Sequence, residues 1–281
     1  MELIKGADVR KELLQRIREE AEALPCAPKL VMVRLGEDPS DLAYEKNARK
    51  LAEKLGIRTE TVTAPREITH EEFMALFRGV NDDPDTDGIL LFRPLPKTIV
   101  EDEVMRVLDP LKDVDCISPK NLSDLFAGKT VHGPCTAEAV MEMLHYAGID
   151  PQGKRATVIG RSMVVGKPLA MMLMKENATV TVCHRKTVDT PGVAREAELL
   201  FVCVGEPEMV DGTYVKDGAA VFDVGINVNA AGEIVGDCLR ASVSEKASVL
   251  TPVPGGVGAV TTAVLMHHVV LNARKRRGLD G

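Results

Sequence analysis

The spacing of apolar residues in the first half of the chain alternates between helical stretches and short apolar runs. Apolar residues that recur every three to four positions predict helices, and short continuous runs predict buried strands. Residues 109–119 are expected to be irregular, and residues 128–134 to form a linker. We predict helices at 7–24, 39–55, 70–81, 101–108 and 136–147, and strands at 29–35, 57–63 and 87–91.

The second half continues the alternation, with predicted strands at 155–159, 178–183, 198–204 and 219–224 and a helix at 167–176. Strands that alternate with helices are typical of parallel sheets, and this order is that of a dinucleotide-binding unit. We therefore predict an α/β fold of two domains, an N-terminal α/β domain (1–140) and a Rossmann-type dinucleotide-binding domain (141–258). The closing helix (259–281) is expected to pack back on the first domain.

Composition narrows the class of protein. The chain has 281 residues, 45% of them hydrophobic and 27% charged, as expected of a globular protein with one or two domains. The net charge of −7 argues against a nucleic-acid partner, and neither a membrane span nor a signal peptide is predicted. The six cysteines form no CxxC pair and no metal-ligand spacing, so we expect reduced thiols, a cytoplasmic location and no metal site.

The segment 251–258, TPVPGGVG, has two prolines and three glycines in eight residues. Proline stiffens the backbone, and glycine lets the main chain approach a flat ligand without an intervening Cβ atom. A helix-forming run (259–272) follows directly. The segment is therefore predicted to be a rigid ligand-binding loop at a helix N-terminus.

A second glycine-containing turn follows the predicted strand 155–159. Gly160 and Gly166 lie six residues apart, which is not the usual G-x-G-x-x-G spacing. A strand that runs through glycine into a helix nevertheless directs N–H groups and a helix dipole at a phosphate. The next strand ends at Arg185, where NAD sites usually carry an acidic residue. Arg161 and Arg185 could bind a 2′-phosphate, which favours NADP over NAD.

Several motifs together resemble the methylenetetrahydrofolate dehydrogenase/cyclohydrolase family of the bifunctional FolD type. They are KDVDC (112–116), GPCT (133–136), VIGRSMVVGKP (158–168), CHRKT (183–187), DVGIN (223–227), GD (236–237) and TPVPGGVG (251–258). The resemblance covers nearly the whole chain. It implies two α/β domains with a cleft between them, a tetrahydrofolate substrate, NADP as cofactor with NAD as an alternative, and usually a homodimer.

The resemblance also implies roles for individual residues. Tyr44 and Asp115 would be the catalytic residues, and Asp115 would accept hydrogen bonds from the pterin edge. The remaining substrate-binding positions would be Phe92, Pro254, Gly255 and Gly258. The cofactor would contact Gly160, Arg161, Ser162, Gly166, Arg185, Ile226, Asn227 and Thr261.

This sequence departs from the family pattern at residues that the family uses in catalysis. The family has a lysine four residues after the tyrosine, whereas here Ala48 follows Tyr44. Phe92 replaces a glutamine, and Arg93 replaces a small apolar residue. Lys46 and Lys50 would point roughly 200° and 240° away from Tyr44 around a helix, so neither can readily substitute.

The two family reactions differ in what they need from the protein. Hydride transfer from the methylene bridge gives a methenyl cation and requires orientation and exclusion of water. Hydrolysis of that cation requires proton transfer, a task for a lysine with a tuned pKa. The leading hypothesis is therefore an NADP-dependent methylenetetrahydrofolate dehydrogenase with weak or absent cyclohydrolase activity, and a separate cyclohydrolase in the same cell.

Three alternatives remain open from the sequence. The chain could be fully bifunctional, using displaced groups such as Arg93 or a water network under Tyr44, although arginine is a poor base. It could be a related two-domain dehydrogenase acting on another small molecule. It could also be a non-catalytic folate or nucleotide sensor.

Overall fold

The computed structural model describes residues 1–279. The last two residues of the predicted closing segment, 280 and 281, lie outside this range. The helices and strands in chain order are β1 (Glu2–Leu3), α1 (Gly6–Glu22), β2 (Lys29–Leu35), α2 (Pro39–Lys54), β3 (Arg58–Ala64), α3 (His70–Asp82), β4 (Gly88–Leu91), α4 (Glu101–Val107), α5 (Pro119–Phe126), α6 (Cys135–Tyr146), β5 (Arg155–Ile159), α7 (Gly166–Lys175), β6 (Thr179–Cys183), α8 (Thr190–Ala194), β7 (Leu199–Val202), β8 (Ala220–Asp223), β9 (Asn227–Val228), β10 (Ile234–Val235), α9 (Arg240–Ser244), β11 (Val249–Leu250) and α10 (Thr261–Arg276).

The chain divides into two compact units, each described here by itself. The three-stranded unit comprises residues 13–124, 130–132 and 262–279. The six-stranded unit comprises Met1–Glu12, Leu125–Lys129 and Gly133–Thr261. The predicted α/β class with parallel sheets is confirmed in both units.

The three-stranded unit is built on the parallel sheet β3-β2-β4. Local sequence explains where its helices begin. Asp38 caps α2 by accepting from Ser40 N at 2.9 Å, and Pro39 occupies the first turn, where a missing N–H costs nothing. Thr69 and Glu72 form a capping box at the start of α3. Phe73 and Phe77 of α3 are fully buried against this sheet.

The end of α10 is fixed within the same unit by a buried carboxylate. Asp87, only 3% exposed, accepts from Arg276 at 2.9 Å and from Arg277 at 2.7 Å. Lys29 N also donates to Asp87, at 3.0 Å. The arginines at the end of α10 thus have a structural role. They do not contradict the prediction, made from the net charge of −7, that the chain has no nucleic-acid partner.

The six-stranded unit has strand order β1-β11-β8-β7-β5-β6, with every neighbouring pair parallel. A separate antiparallel hairpin is formed by β9 and β10. β6 and β7 flank β5 on opposite sides, so the chain reverses its direction of travel across the sheet at β5. In open α/β sheets, ligands bind at the carboxyl ends of strands at such a reversal.

Candidate active site

The turn after β5 is closely packed. Gly160 adopts a φ of 133°, and a Cβ atom there would overlap the carbonyl oxygen of Cys203. A Cβ at Gly166 would overlap the Gly160 carbonyl oxygen. The Ser162 hydroxyl accepts from the backbone N–H of Val165 at 3.0 Å and so shapes the start of α7. The turn therefore accepts only glycine at both positions and ends at the N-terminus of a ten-residue helix.

Two arginines stand at this edge of the six-stranded sheet, as the sequence predicts. Arg161 lies in the turn itself and is exposed. Arg185 follows β6, has a side chain 76% exposed and forms an ion pair with Glu206. Glu206 lies in the loop after β7, and no motif in the sequence marks it as a site residue. The edge thus carries two guanidinium groups and one carboxylate.

The DVGIN motif is organised around a buried carboxylate. Asp223, 3% exposed, accepts from the backbone N–H groups of Gly225, Asp237 and Cys238 at 3.2, 3.0 and 3.0 Å. Burial raises the pKa of Asp223 to about 6, although these backbone donors oppose that rise. A Cβ at Gly236 would overlap this carboxylate, which explains the glycine of the GD motif.

The second acidic residue of these motifs, Asp237, holds the loop after β7. Its fully buried carboxylate accepts from Val204 N at 2.7 Å, Gly205 N at 3.1 Å and Glu206 N at 3.0 Å. The predicted cofactor residue Asn227 donates to the same carboxylate at 2.8 Å. Asn227 therefore has a structural contact that the sequence did not indicate.

The glycine-rich loop 251–258 lines a cavity of about 180 Å³ in the same unit. Its wall includes Pro254, Gly255 and Gly258 together with Ile226, whose side chain is 63% exposed. The Ile226 side chain lies over Gly258, where a Cβ would come within 2.7 Å of Ile226 Cδ1. Thr261 begins α10, and its hydroxyl donates to the Gly258 carbonyl oxygen at 3.3 Å. The cavity is lined mostly by apolar atoms, which suits the face of a ring.

The three-stranded unit brings Tyr44 and Phe92 together. Their rings meet edge to face with centroids 6.0 Å apart, and the Tyr44 side of α2 is partly exposed. Ala48, one turn further on, is fully buried. Arg93 follows Phe92 and pairs with Glu101 at 3.1 Å. Tyr44 thus has an aromatic neighbour in Phe92.

The basic residues nearest to Tyr44 along α2 are directed elsewhere. Lys46 and Lys50 are exposed, whereas Ala48 between them is buried. Arg49 donates to Glu45 at 3.1 Å. The same carboxylate receives Arg34 Nε at 3.0 Å.

Asp115 lies in the loop before α5, which is shaped by a neighbouring carboxylate. Asp113 is fully buried and accepts from Ser118 N at 2.8 Å, Asn121 Nδ2 at 2.9 Å and Ile117 N at 3.1 Å. It also accepts from Asp115 N at 3.3 Å. Asp113 therefore fixes the backbone of the loop around the half-buried Asp115.

The lysine of the KDVDC motif is structural. Lys112 Nζ donates to the carbonyl oxygens of Asn81 and Asp83, the latter at 2.7 Å. Burial lowers the pKa of this ammonium group. Its contacts anchor the start of the Asp115 loop to the end of α3.

Two buried histidines, His132 and His268, stabilise the loop that contains Asp115. His268 Nδ1 hydrogen-bonds the Val114 carbonyl oxygen at 2.8 Å. The His132 ring stacks on His268, with centroids 3.9 Å apart and an interplanar angle of 11°. His132 Nε2 contacts Asn272 Oδ1 at 3.2 Å, and Asn272 Nδ2 donates to the Asp113 carbonyl oxygen at 3.4 Å. The backbone immediately before Asp115 is thus held by side chains of α10.

Residues 1–279 contain no group of three or more His, Cys, Asp or Glu side chains placed to hold a metal ion. Within the same range, no helix is both long enough and apolar enough to cross a membrane.

Two domain models of one enzyme family together match most of the chain. Residues 4–115 match the catalytic domain of tetrahydrofolate dehydrogenase/cyclohydrolase, and residues 134–277 match the NAD(P)-binding domain of the same enzymes. The class of protein is therefore a two-domain α/β protein with a Rossmann-type NAD(P)-binding domain. The chain belongs to the tetrahydrofolate dehydrogenase/cyclohydrolase family.

Individual relatives agree with this assignment. The chain is 46% identical over 273 residues to the bifunctional protein FolD of Clostridioides difficile, covering 96% of this chain and 95% of that protein. The crystal structure of FolD from Campylobacter jejuni superimposes with a TM-score of 0.93 at 37% identity, covering 98% and 99% of the two chains. The Trypanosoma brucei FolD, complexed with NADP cofactor and inhibitor, gives 0.89 at 31% identity and covers 99% and 98%.

Proposed function

We propose that the chain is an NADP-dependent 5,10-methylenetetrahydrofolate dehydrogenase with weak or absent cyclohydrolase activity. The observation that carries this proposal is the contrast between an intact cofactor turn at Gly160 and the buried Ala48 beside Tyr44. Family membership supports the dehydrogenase reaction. The side chains around Tyr44 support the loss of hydrolysis.

The residues of the six-stranded unit fit a nicotinamide dinucleotide. A Cβ at Gly160 would overlap the Cys203 carbonyl oxygen, and one at Gly166 would overlap the Gly160 carbonyl oxygen, so the turn packs tightly and leads directly into the N-terminus of α7, which can face a pyrophosphate. In this proposal Ser162 and Arg161 bind the phosphates and ribose, and Arg185 binds the 2′-phosphate. Ile226 and Thr261 stand at the nicotinamide end. The bound nicotinamide accepts the hydride.

The protein's part in that transfer is binding and orientation. Pro254, Gly255 and Gly258 hold a flat ring against Ile226 in the apolar cavity, which keeps water from the methenyl product. Asp115 accepts hydrogen bonds from the amino and ring N–H groups of the pterin, a task that suits a carboxylate. Tyr44 and Phe92 contribute aromatic surface. No side chain has to accept a proton in this step.

Hydrolysis would require a group that these side chains do not supply. A general acid or base contributes typically ~10²–10⁴-fold to a rate. Positions 47, 48 and 51, which share the Tyr44 face of α2, are Asn, Ala and Leu. Arg93 is held by Glu101, and a guanidinium group stays protonated. The cyclohydrolase step should therefore be slowed far more than the dehydrogenase step.

A fully bifunctional enzyme is the second candidate. The relative from Clostridioides difficile, at 46% identity, carries the name bifunctional protein FolD. A water network under Tyr44 would have to replace the missing lysine.

One assay separates the two candidates. The protein is supplied with methylenetetrahydrofolate and NADP or NAD, and both folate products are followed against a protein-free control. We expect methenyltetrahydrofolate to accumulate, because hydrolysis should lag by about a hundredfold or more. Hydrolysis of supplied methenyltetrahydrofolate as fast as dehydrogenation would refute the proposal and favour the bifunctional enzyme.

A further inference from the structure

The ion pair between Arg185 and Glu206 crosses the place where a dinucleotide binds in this class of sheet. Arg185 follows the end of β6, and Glu206 follows the end of β7. These strands flank β5 on opposite sides, so the two side chains meet above the carboxyl end of β5. That end carries the Gly160 turn. The pair therefore lies at the reversal point of the sheet.

The Glu206 end of this pair is fixed by the main chain. The backbone N–H groups of Val204, Gly205 and Glu206 all donate to the fully buried Asp237 carboxylate. The loop therefore has a defined conformation at Glu206, whose side chain is 39% exposed. Arg185, 76% exposed, is the partner that can move when a ligand arrives.

NADP and NAD differ in charge at the 2′ position of the ribose. An arginine in the position of Arg185 recognises the group at this position. NADP carries a 2′-phosphate with a charge of about −1.5 to −2, as phosphate monoesters do at neutral pH. NAD carries a neutral 2′-hydroxyl, which can donate a hydrogen bond to a carboxylate. A carboxylate beside Arg185 therefore repels the 2′-phosphate of NADP but does not repel the 2′-hydroxyl of NAD.

We propose that Glu206 is a cofactor-specificity residue. Its carboxylate competes with the 2′-phosphate for Arg185 and so narrows the preference for NADP over NAD that the two arginines would otherwise create. This inference rests on the proposed function for the identity of the cofactor. It adds Glu206 as a residue that lowers the selectivity for NADP over NAD.

The test is calorimetric titration of NADP and of NAD into the wild-type chain and the Glu206→Gln variant, without folate. Removing the carboxylate should tighten NADP binding about tenfold at low salt and change NAD binding by less than about twofold. The gain should shrink at about 0.5 M salt, because the charges are screened there. Glu208→Gln is the matched control, since Glu208 is an exposed carboxylate in the same loop and should leave the ratio unchanged.

Two further measurements complete the test. Arg185→Gln should weaken NADP binding about tenfold, and thermal unfolding should show that each variant is folded. Equal changes for both cofactors in Glu206→Gln, or no change in either, would overturn the inference. A shifted cofactor ratio in a chain that does not turn over methylenetetrahydrofolate would uphold the inference and refute the proposed function instead.

Discussion

The turn after β5 and the helix α2 both carry residues of the proposed site, yet their chemistry depends on different parts of the chain. At the turn, the proposed binding of the cofactor depends on the main chain. The close contacts of Gly160 and Gly166 leave no room for a side chain. On α2, the proposed loss of hydrolysis depends on a single side chain, at the position of the buried Ala48.

In the proposed function, this difference is the reason that hydrolysis is weak while hydride transfer is kept. Replacing a lysine by alanine on a helix costs no backbone contact and favours the helix slightly. Replacing Gly160 would disrupt the packing of β5 against the β7 loop. Hydride transfer, which relies on backbone and shape, is therefore more robust to substitution than proton transfer, which relies on one tuned group.

The largest effect is expected at the turn. Gly160→Ala should lower the unfolding free energy by about 3 kcal/mol and weaken NADP binding more than a hundredfold, because φ is 133° and the methyl group would overlap Cys203. Gly153→Ala is the control. Its φ is 73°, but an added Cβ meets no described atom within 4 Å, so it should cost about 1 kcal/mol. Urea unfolding and cofactor titration measure both, and equal losses in the two variants would contradict this prediction.

The carboxylate that organises DVGIN gives a pH-dependent effect of similar size. Asp223 has a raised pKa of about 6 in the folded chain, against 3.8 as its ordinary value. The folded state therefore binds this proton more tightly, and the contribution to stability is complete below pH 3.8 and is lost as pH rises through about 6. Relative to Asp223→Asn, the wild type should gain up to about 3 kcal/mol between pH 8 and pH 4.

Urea unfolding of both proteins across this range measures the gain. The difference between the two isolates Asp223 from carboxylates such as Glu45 and Asp83, whose pKa values are lowered and act in the opposite direction. A difference that stays constant with pH would show that Asp223 does not titrate as described.

Much of this architecture is predictable from the sequence, and the exceptions have physical reasons. The β5 turn and α7 are visible because a buried run, glycine and a helical period follow one another along the chain. β1 is two residues long, too short for any periodicity, and joins the sheet by pairing with β11 from the far end of the chain. The pairing of Arg185 with Glu206 depends on how the β6 and β7 loops meet in space, which no local pattern records.

Around Tyr44, the family resemblance singles out positions 48 and 92, and their roles stay predictions. The supports of Asp115 are less accessible, because His132 and His268 lie 136 positions apart and stack only in the folded chain. Asp113 is visible in KDVDC as a residue but not as the acceptor that closes the loop.

A gain of function at α2 would sharpen the comparison between the two regions. Ala48→Lys combined with Phe92→Gln should raise methenyltetrahydrofolate hydrolysis about tenfold and leave dehydrogenation within about threefold, since only proton transfer is supplied. Ala52→Lys with Phe92→Gln is the control, because Ala52 is equally buried one turn further along α2. Stopped assays of both folate products provide the measurement. A similar gain in the control pair would show that any buried lysine suffices and that position 48 has no special role.

The smallest effect is expected from the histidine that holds the Asp115 loop. His268→Phe keeps an aromatic ring for stacking on His132 but removes the donor to the Val114 carbonyl oxygen. The buried carbonyl should then cost about 1 kcal/mol of stability, and the KM for folate should rise about threefold with kcat nearly unchanged, because Asp115 is displaced and the reacting groups are not. His268→Gln, which can donate again, should recover part of the KM. The neighbouring His267→Phe loses only the contact with Glu20 on α1 and should leave the KM for folate unchanged. If both histidine variants raise this KM alike, the effect comes from α10 as a whole, and the hydrogen bond to Val114 does not position Asp115.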